Sequence, residues 1–446
     1  MSALKRTRTL PLIGLIAVSA ASPSLAAARK AVSIAAGYYH TCAVLDDASV
    51  KCWGYSGNGQ LGLGDTNTRG TSSNQMGDNL PVVSLGTGRT AKMIAASSST
   101  TCALLDNATV KCWGYNGSGQ LGLGDANPRG TAAGQMGDAL LAIDLGTGLT
   151  ALQIAVGNNH NCALLSDKSI KCWGYNGYGQ LGIGDTVQRG SAVNQMGDNL
   201  KAVSLGTGRT ALQIAVSGGY STCALLDNST VKCWGYNNYG QLGQGDTVQR
   251  GSAVNQMGDN LVSVNLGTGR LARSISAFEF GFCVTLDNET LKCWGGNDYG
   301  QLGVGDTNHR GDQADEMGDN LPTTDLVTGL RPRALSCQGY HCCIALITNT
   351  MKCWGAQLRG ELGTGDTIYR AMEPGLMGEN LPYVDLGPLA TVKSVSVGYY
   401  HSCAILNDGA VKCWGYNGYG ELGTGDTANR GMNSADMGAS LPAINL

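Results

Sequence analysis

Several features that define other protein classes are scarce in this 446-residue chain. Charged residues make up 14% of it, no basic run occurs and the formal net charge is −3, so we expect no binding to nucleic acid. No apolar run reaches the roughly 20 residues of a membrane-spanning helix. No recognisable set of nucleophile and base residues is present, and we predict no enzyme activity. The 67 glycines and 42% apolar content instead indicate a turn-rich β protein with a buried core.

The N-terminus has the layout of a secretory signal peptide. A basic segment at 5–8 precedes an apolar run at 10–21 and a small-residue cleavage site at 24–26. We therefore predict a signal peptide over residues 1–26 and a single mature domain over 27–446. The mature protein is expected to be a secreted, extracellular or cell-surface monomer without a membrane span. The periplasm is the alternative compartment.

Cysteine is abundant, and its spacing defines a repeat. Fourteen of the 16 cysteines form pairs ten residues apart, and each second cysteine is followed by Trp-Gly. The pairs are Cys42 and Cys52, Cys102 and Cys112, Cys162 and Cys172, Cys223 and Cys233, Cys283 and Cys293, Cys343 and Cys353, Cys403 and Cys413. Zinc ligands are usually two to four residues apart and include histidine, whereas exported chains keep disulfides, so we predict disulfides. The remaining Cys337 and Cys342 are assigned to an eighth, local disulfide.

The repeat unit predicts an all-β fold. The seven units cover approximately residues 31–90, 91–150, 151–210, 211–271, 272–331, 332–390 and 391–446. In the last unit, 407–409 (Asn-Asp-Gly) predicts a three-residue hairpin loop that places Cys403 directly opposite Cys413. With one strand before the hairpin and one after the long loop, each unit has four predicted strands. We therefore predict a seven-bladed β-propeller with one cross-strand disulfide per blade. A linear β-solenoid is the alternative, and the segment 441–446 is expected to pair into the first blade and close the ring.

The run from Gly37 to Asp65, with Cys-Trp-Gly followed by Gly-Gln-Leu-Gly, resembles the repeat of the regulator of chromosome condensation family. The signature recurs in all seven units, and the resemblance implies a seven-bladed propeller that serves as a binding platform. The founding member of the family is a nuclear exchange factor for a small GTPase. This chain differs by its signal peptide, its cysteine pairs and a longer loop at 66–79, which make it similar to exported, cysteine-containing bacterial members.

Candidate site residues fall into three groups. The histidines two residues before the first cysteine, such as His40, are interpreted as structural hydrogen-bonding groups. The Asp and Arg four residues apart in each long loop, such as Asp65 and Arg69, are interpreted as ion pairs, with a calcium site as the alternative. The repeated methionines are predicted to anchor the long loops. No cofactor is predicted.

The third group consists of contact residues for a partner. Tyrosines in the turn after Trp-Gly favour recognition because each offers a rigid ring and a hydroxyl. The first tyrosine of each turn is expected to pack between blades, and the second to contact the partner. Repeats five and six depart most from the consensus, and all three phenylalanines lie in repeat five. The predicted contacts are Tyr178, Tyr239, Tyr299, Tyr419, Phe278, Phe280, Phe282 and Arg359.

Together these patterns predict a secreted, non-catalytic scaffold that binds an extracellular protein or a cell-surface glycan. Two alternatives are a secreted hydrolase or lyase with a site in the central channel, and a calcium-stabilised adhesin.

Overall fold

A computed structural model describes residues 29–326, 329 and 331–446, so the predicted signal peptide lies outside the described residues. The described chain forms seven antiparallel sheets of three strands each, with the strands of a sheet in chain order. In this part of the chain, no helix is long and apolar enough to span a bilayer. The strands are β1 (Ala31–Ala36), β2 (His40–Leu45), β3 (Val50–Gly54), β4 (Ala91–Ser97), β5 (Thr100–Leu105), β6 (Val110–Gly114), β7 (Ala151–Val156), β8 (His160–Leu165), β9 (Ile170–Gly174), β10 (Ala211–Val216), β11 (Ser221–Leu226), β12 (Val231–Gly235), β13 (Ala272–Phe278), β14 (Gly281–Leu286), β15 (Leu291–Gly295), β16 (Pro332–Gln338), β17 (His341–Leu346), β18 (Met351–Gly355), β19 (Val392–Val397), β20 (His401–Leu406) and β21 (Val411–Gly415).

Each sheet is one blade of a seven-bladed β-propeller, as predicted. The first strand of each blade faces the axis, and those of repeats two to six line a central cavity of about 330 Å³. The second strand is the central strand of its sheet, and both of its faces pack against neighbouring blades. All six residues of β2 are therefore buried. This double burial explains why its sequence, His-Thr-Cys-Ala-Val-Leu, does not alternate between apolar and polar residues. Short 3-10 turns in the long loops include Gly77–Asn79 and its equivalents.

The hairpin register agrees with the prediction. In the last blade Cys403 lies opposite Cys413 and Ile405 opposite Val411. Gly409 has the left-handed conformation expected of the third loop residue, with φ of +87°. The register of the two strands is thus fixed by the turn chemistry, as the sequence indicates.

The predicted fourth strand is not a regular strand. Its central residue makes one bond within the blade, from Val83 N to the Val50 carbonyl at 2.7 Å. The next two carbonyls accept bonds from the following repeat: Ser84 O from Gly137 N at 3.0 Å, and Leu85 O from Lys111 Nζ at 2.9 Å. The segment is therefore shared between two blades, which prevents a continuous ladder with either one.

The segment 441–446 joins the last repeat to the first, as predicted for ring closure, but its predicted pairing as a strand of the first blade is wrong. Ile444 N donates to the Val411 carbonyl of the last blade at 2.8 Å. Asn445 O accepts a bond from Gly77 N of the first repeat at 3.0 Å, which repeats the bond between Ser84 and Gly137. The closing interface is thus built like the other interfaces, without an exchanged strand.

The seven tryptophans join neighbouring blades. Each is fully buried, and its indole N–H donates to a carbonyl of the Gly-Gln-Leu-Gly or Gly-Glu-Leu-Gly segment in the adjacent repeat. Trp113 Nε1, for example, lies 3.0 Å from the Gln60 carbonyl. Gly62 in the same segment has φ of +68°, and a Cβ there would lie 2.7 Å from Trp113 Nε1. The second glycine of the signature is therefore required by backbone conformation and by the approach of tryptophan.

Candidate binding surface

All 16 cysteines form disulfides. The seven repeated pairs bridge the second and third strands of each blade, and Cys337 bonds Cys342 across the first and second strands of blade six. Apart from Cys337, which is 7% exposed, every cysteine has 0% exposure. The predicted framework is confirmed, and its role is structural.

The four histidines before the cysteines belong to buried networks between blades. His40 Nε2 lies 2.8 Å from Thr101 Oγ1, and that hydroxyl donates to the Gln60 carbonyl at 2.9 Å. Since the hydroxyl uses its proton on Gln60, Nε2 must carry the imidazole proton and donate it. Nδ1 then has no partner, and burial lowers the pKa of His40 to about 3. The predicted structural, hydrogen-bonding role of His40 is confirmed.

The acidic loop residues are occupied by donors from the protein. All seven Asp–Arg pairs form, with N–O distances of 2.5–2.7 Å. A second aspartate, Asp138, accepts bonds from the backbone N and Oγ1 of Thr87 in the preceding repeat at 2.8 and 2.6 Å. The predicted ion pairs are therefore confirmed, and these carboxylates stabilise loops and blade contacts.

The tyrosines gather on one face of the propeller. All but Tyr369 lie in the turn between first and second strands or in the turn after Trp-Gly; Tyr369 lies in the long loop of repeat six. Ring centroids of successive neighbours are no more than 6.5 Å apart. We call this set the tyrosine surface. Its members are Tyr38, Tyr39, Tyr55, Tyr175, Tyr178, Tyr220, Tyr236, Tyr239, Phe280, Tyr299, Tyr340, Tyr369, Tyr399, Tyr400, Tyr416 and Tyr419. The tyrosines outside it are Tyr115 and Tyr383.

Contacts between blades build this surface. Tyr178, the second tyrosine of its turn, packs against Tyr220 and Tyr236 of the next repeat at 5.5 and 4.9 Å. Tyr419 makes the equivalent contacts with Tyr39 and Tyr55 at 5.4 and 4.9 Å. Because each ring is held by rings of the neighbouring blade, the surface is rigid before any partner binds.

The sequence patterns predicted only half of this surface. The turn after Trp-Gly was singled out, but apart from Phe280 the residue three positions before each first cysteine was missed. That position holds Tyr39, Tyr220, Phe280, Tyr340 and Tyr400 in five of the repeats. The recurrence was a readable signal, but only the fold shows that the two turns meet.

The predicted contact residues differ in how far their side chains are exposed. Tyr178, Tyr239 and Tyr299 are half-buried on the surface, Tyr419 is 38% exposed, and Arg359 is exposed. Phe280 lies in a turn and packs against Tyr239 at 4.9 Å. Phe278 and Phe282 are wrong as contact residues because their exposures are 1% and 0%.

The two buried phenylalanines differ from Phe280 because of their position on the strands. Phe278 ends β13 and Phe282 belongs to β14, so both point into the contacts between blades. The turn residue between these strands is free to reach the face of the propeller. Spacing in the sequence grouped three residues that the hairpin separates.

A polar cluster lies at the axis, where turns from repeats one, three and five converge. Tyr38 Oη donates to Glu279 Oε2 at 2.7 Å, and Asn158 Nδ2 donates to Glu279 Oε1 at 3.0 Å. Burial raises the pKa of Glu279 to about 7, although both hydrogen bonds oppose the shift. Both carboxyl oxygens are thus engaged by the protein, and the cluster links blades that are not neighbours.

The fold and this surface define a rigid β-propeller that presents a continuous aromatic face. Residues 10–387 match the RCC1-like domain, and residues 392–421 match the regulator of chromosome condensation (RCC1) repeat. The chain belongs to the RCC1-like family. The resemblance inferred from the repeat is therefore confirmed.

Curated relatives share this repeat at low identity. The ultraviolet-B receptor UVR8 of Arabidopsis thaliana is 27% identical over 351 residues, which are 77% of this chain and 69% of UVR8. The human E3 ubiquitin-protein ligase HERC2 is 25% identical over 382 residues, which are 84% of this chain and 7% of HERC2. This chain thus spans only a small part of HERC2.

Two solved structures show the same fold. Human WBSCR16 superimposes with a TM-score of 0.64 at 19% identity, covering 85% of this chain and 88% of its own. Prp20p of Saccharomyces cerevisiae, described with its binding to Gsp1p and histones, superimposes with a TM-score of 0.61 at 18% identity. That match covers 91% of this chain and 86% of Prp20p.

Proposed function

We propose that this protein is an exported, non-catalytic scaffold that binds an extracellular protein or a cell-surface glycan through the tyrosine surface. The observation that carries the proposal is the continuity of that surface across repeats three to seven and repeat one. Tyrosine combines a large apolar ring with one hydroxyl, and it loses little conformational entropy on binding. The half-buried rings provide contact area, and their hydroxyls provide polar specificity.

Export is supported by two independent features. The N-terminal segment has the pattern of a signal peptide, and every cysteine pairs in a disulfide. A reducing cytosol would keep such thiols reduced. The relative Prp20p, which binds Gsp1p and histones, supports the use of a propeller of this family as a platform for protein partners.

Substitution of the second tyrosine in three of the turns tests the proposal. The triple variant Tyr178→Ser, Tyr239→Ser, Tyr419→Ser removes rings from three repeats without touching the disulfides or the tryptophans. Wild type and variant are immobilised and screened against a glycan array and a set of extracellular proteins. The variant is expected to lose about 30-fold or more in affinity for the ligand that wild type binds, the size of one central aromatic contact.

The control is the single variant Tyr383→Ser. Tyr383 is 50% exposed and pairs with Lys352 near the start of β18, at the end of the strand opposite to the turn after Trp-Gly. The control is expected to bind like wild type. Loss of binding in the control, with binding retained in the triple variant, contradicts the assignment of the face. Secretion is tested separately by determining the N-terminus of the mature, exported protein.

A further inference from the structure

The interface between repeats seven and one has the densest aromatic packing in the ring. Tyr39 of repeat one contacts Tyr400, Tyr416 and Tyr419 of repeat seven at centroid distances of 6.2, 6.1 and 5.4 Å. Tyr55 contacts Tyr419 at 4.9 Å. The hydrogen bonds at this interface repeat those of the others, so the tyrosines are its distinguishing feature.

This interface also differs in chain connectivity. Neighbouring repeats elsewhere are consecutive in sequence, so a short peptide segment joins each pair of blades. Repeats seven and one are joined only through the rest of the ring. Their direct contacts are non-covalent, including a bond from Ala31 N to the Gly409 carbonyl at 2.9 Å. Separation at this point opens the propeller without breaking a covalent bond.

The tyrosines at this interface are also accessible to one-electron oxidants. Thiols are the usual sink for oxidants in proteins, and none is free among the described cysteines. All seven tryptophans have 0% exposure. Tyr419 is 38% exposed, and Tyr39 and Tyr55 beside it are half-buried. An oxidant that reaches this face therefore meets phenol groups whose rings are already in contact.

We propose that Tyr419 is a site of oxidative coupling to Tyr55 or Tyr39, which closes the propeller with a covalent bond. The oxidant is a peroxidase that uses hydrogen peroxide. Each of two phenols gives up one electron and one proton to form a tyrosyl radical. The two radicals combine through ring carbons ortho to oxygen, and rearomatisation restores both phenols. Overall two tyrosines and one hydrogen peroxide give one dityrosine bridge and two waters, with a net loss of two hydrogens from the protein.

Geometry selects this pair over more exposed tyrosines. Tyr115 and Tyr383 are 41% and 50% exposed, but neither has an aromatic ring of the tyrosine surface as a neighbour. Their radicals have no phenol partner in the same molecule and can couple only between molecules. If the distance between rings controls the coupling, bridges form within one molecule. If the exposure of a ring controls it, two molecules are joined into a dimer.

The test treats the purified, disulfide-bonded protein with a haem peroxidase and hydrogen peroxide at low protein concentration. Dityrosine fluorescence reports coupling, and mass spectrometry of the reduced, alkylated digest identifies the joined peptides. The expected product is a monomer in which the peptide containing Tyr419 is joined to that of Tyr55 or Tyr39, with a loss of two hydrogens. Tyr178 and Tyr236, also 4.9 Å apart, serve as an internal reference for access of the oxidant.

Two variants separate coupling from folding. Tyr419→Phe keeps the ring and its packing but removes the phenol, so the bridge between repeats seven and one is expected to disappear while coupling at Tyr178 persists. The double variant Tyr115→Phe, Tyr383→Phe is expected to form the bridge as wild type does. Dimers joined through Tyr115 or Tyr383 without an intramolecular bridge overturn the proposal. Coupling at Tyr178 alone, or no coupling at all, also overturns it. No binding partner is used, so the outcome is independent of the proposed function.

Discussion

The stability of this protein in acid is expected to depend on four buried histidines. They are His40, His160, His341 and His401, all with 0% exposure. Burial lowers the pKa of each imidazole to about 3 from an ordinary value of 6.5. In each ring Nε2 bonds to a hydroxyl and Nδ1 has no partner, so a second proton would create a buried charge without a counter-ion.

The direction of the pH dependence follows from where the protons bind. Below pH 6.5 the unfolded chain takes up protons on these histidines, whereas the folded chain does not until about pH 3. The free energy of unfolding therefore decreases as pH falls, by up to about 1.4 kcal/mol per pH unit for each histidine. For all four together the loss is about 5 kcal/mol per pH unit.

Three buried glutamates act in the opposite direction over part of this range. Burial raises the pKa of Glu279 and Glu361 to about 7 and that of Glu421 to about 8, from 4.5. As pH falls from about 8 to 4.5, the folded state binds protons on these glutamates before the unfolded chain does. This uptake increases the free energy of unfolding over that range, and the gain is lost as pH rises above about 8. Between pH 6.5 and 4.5 the two sets largely offset each other. Below pH 4.5 the glutamates are protonated in both states, and the full histidine slope is expected.

Chemical denaturation of the oxidised protein at about pH 7, 5.5, 4 and 3.5 measures this profile. The variant with all four histidines replaced by glutamine keeps an N–H donor at each site but removes the titration. It is expected to lose most of the decrease below pH 4.5, and the part that remains belongs to carboxylates whose pKa is lowered in the folded state, such as Asp246 and Asp426 beside their arginines. An unchanged slope in the variant refutes the reasoning. So do resonances of these four imidazoles that titrate near pH 6.5 in the folded protein.

Three further predictions concern buried and loop groups. Replacement of Glu421 by glutamine, the residue found in the other repeats except repeat six, is expected to stabilise the protein by about 1–3 kcal/mol above pH 8. The substitution removes a buried carboxylate whose Oε2 accepts a bond from Tyr419 N but whose Oε1 has no partner. Equal melting temperatures contradict this prediction. Replacement of both Cys42 and Cys52 by serine is expected to lower the free energy of unfolding by about 2–3 kcal/mol, because one short covalent loop is opened. Denaturant titration measures this change, and an effect near zero shows that blade packing alone fixes the register. A calcium chelator is expected to leave the melting temperature unchanged, since arginine occupies the loop carboxylates; a marked decrease supports the calcium alternative.

Local chemistry explains which features were predictable from the sequence. A cysteine spacing of ten, with a turn residue in the left-handed conformation, leaves one register for the hairpin, and the disulfides follow from it. The repeat length and the Trp-Gly signature then specify seven equivalent blades. The regular fourth strand and the pairing of 441–446 as a strand of the first blade were mispredicted for a different reason. Whether the Val83 segment pairs with one blade or is shared by two depends on the spacing between blades, which no single repeat encodes.

The sequence by itself determined the blade: its hairpin, its disulfide, its buried histidine and its loop ion pairs all arise within or next to one repeat. Only the tertiary structure decided the surface. Circular closure brings Tyr39 beside Tyr419 and joins Tyr38, Asn158 and Glu279 at the axis, although these residues are far apart in the chain. Contacts of this kind depend on the curvature of the whole ring, and a local sequence pattern carries no information about residues that meet because the ring closes.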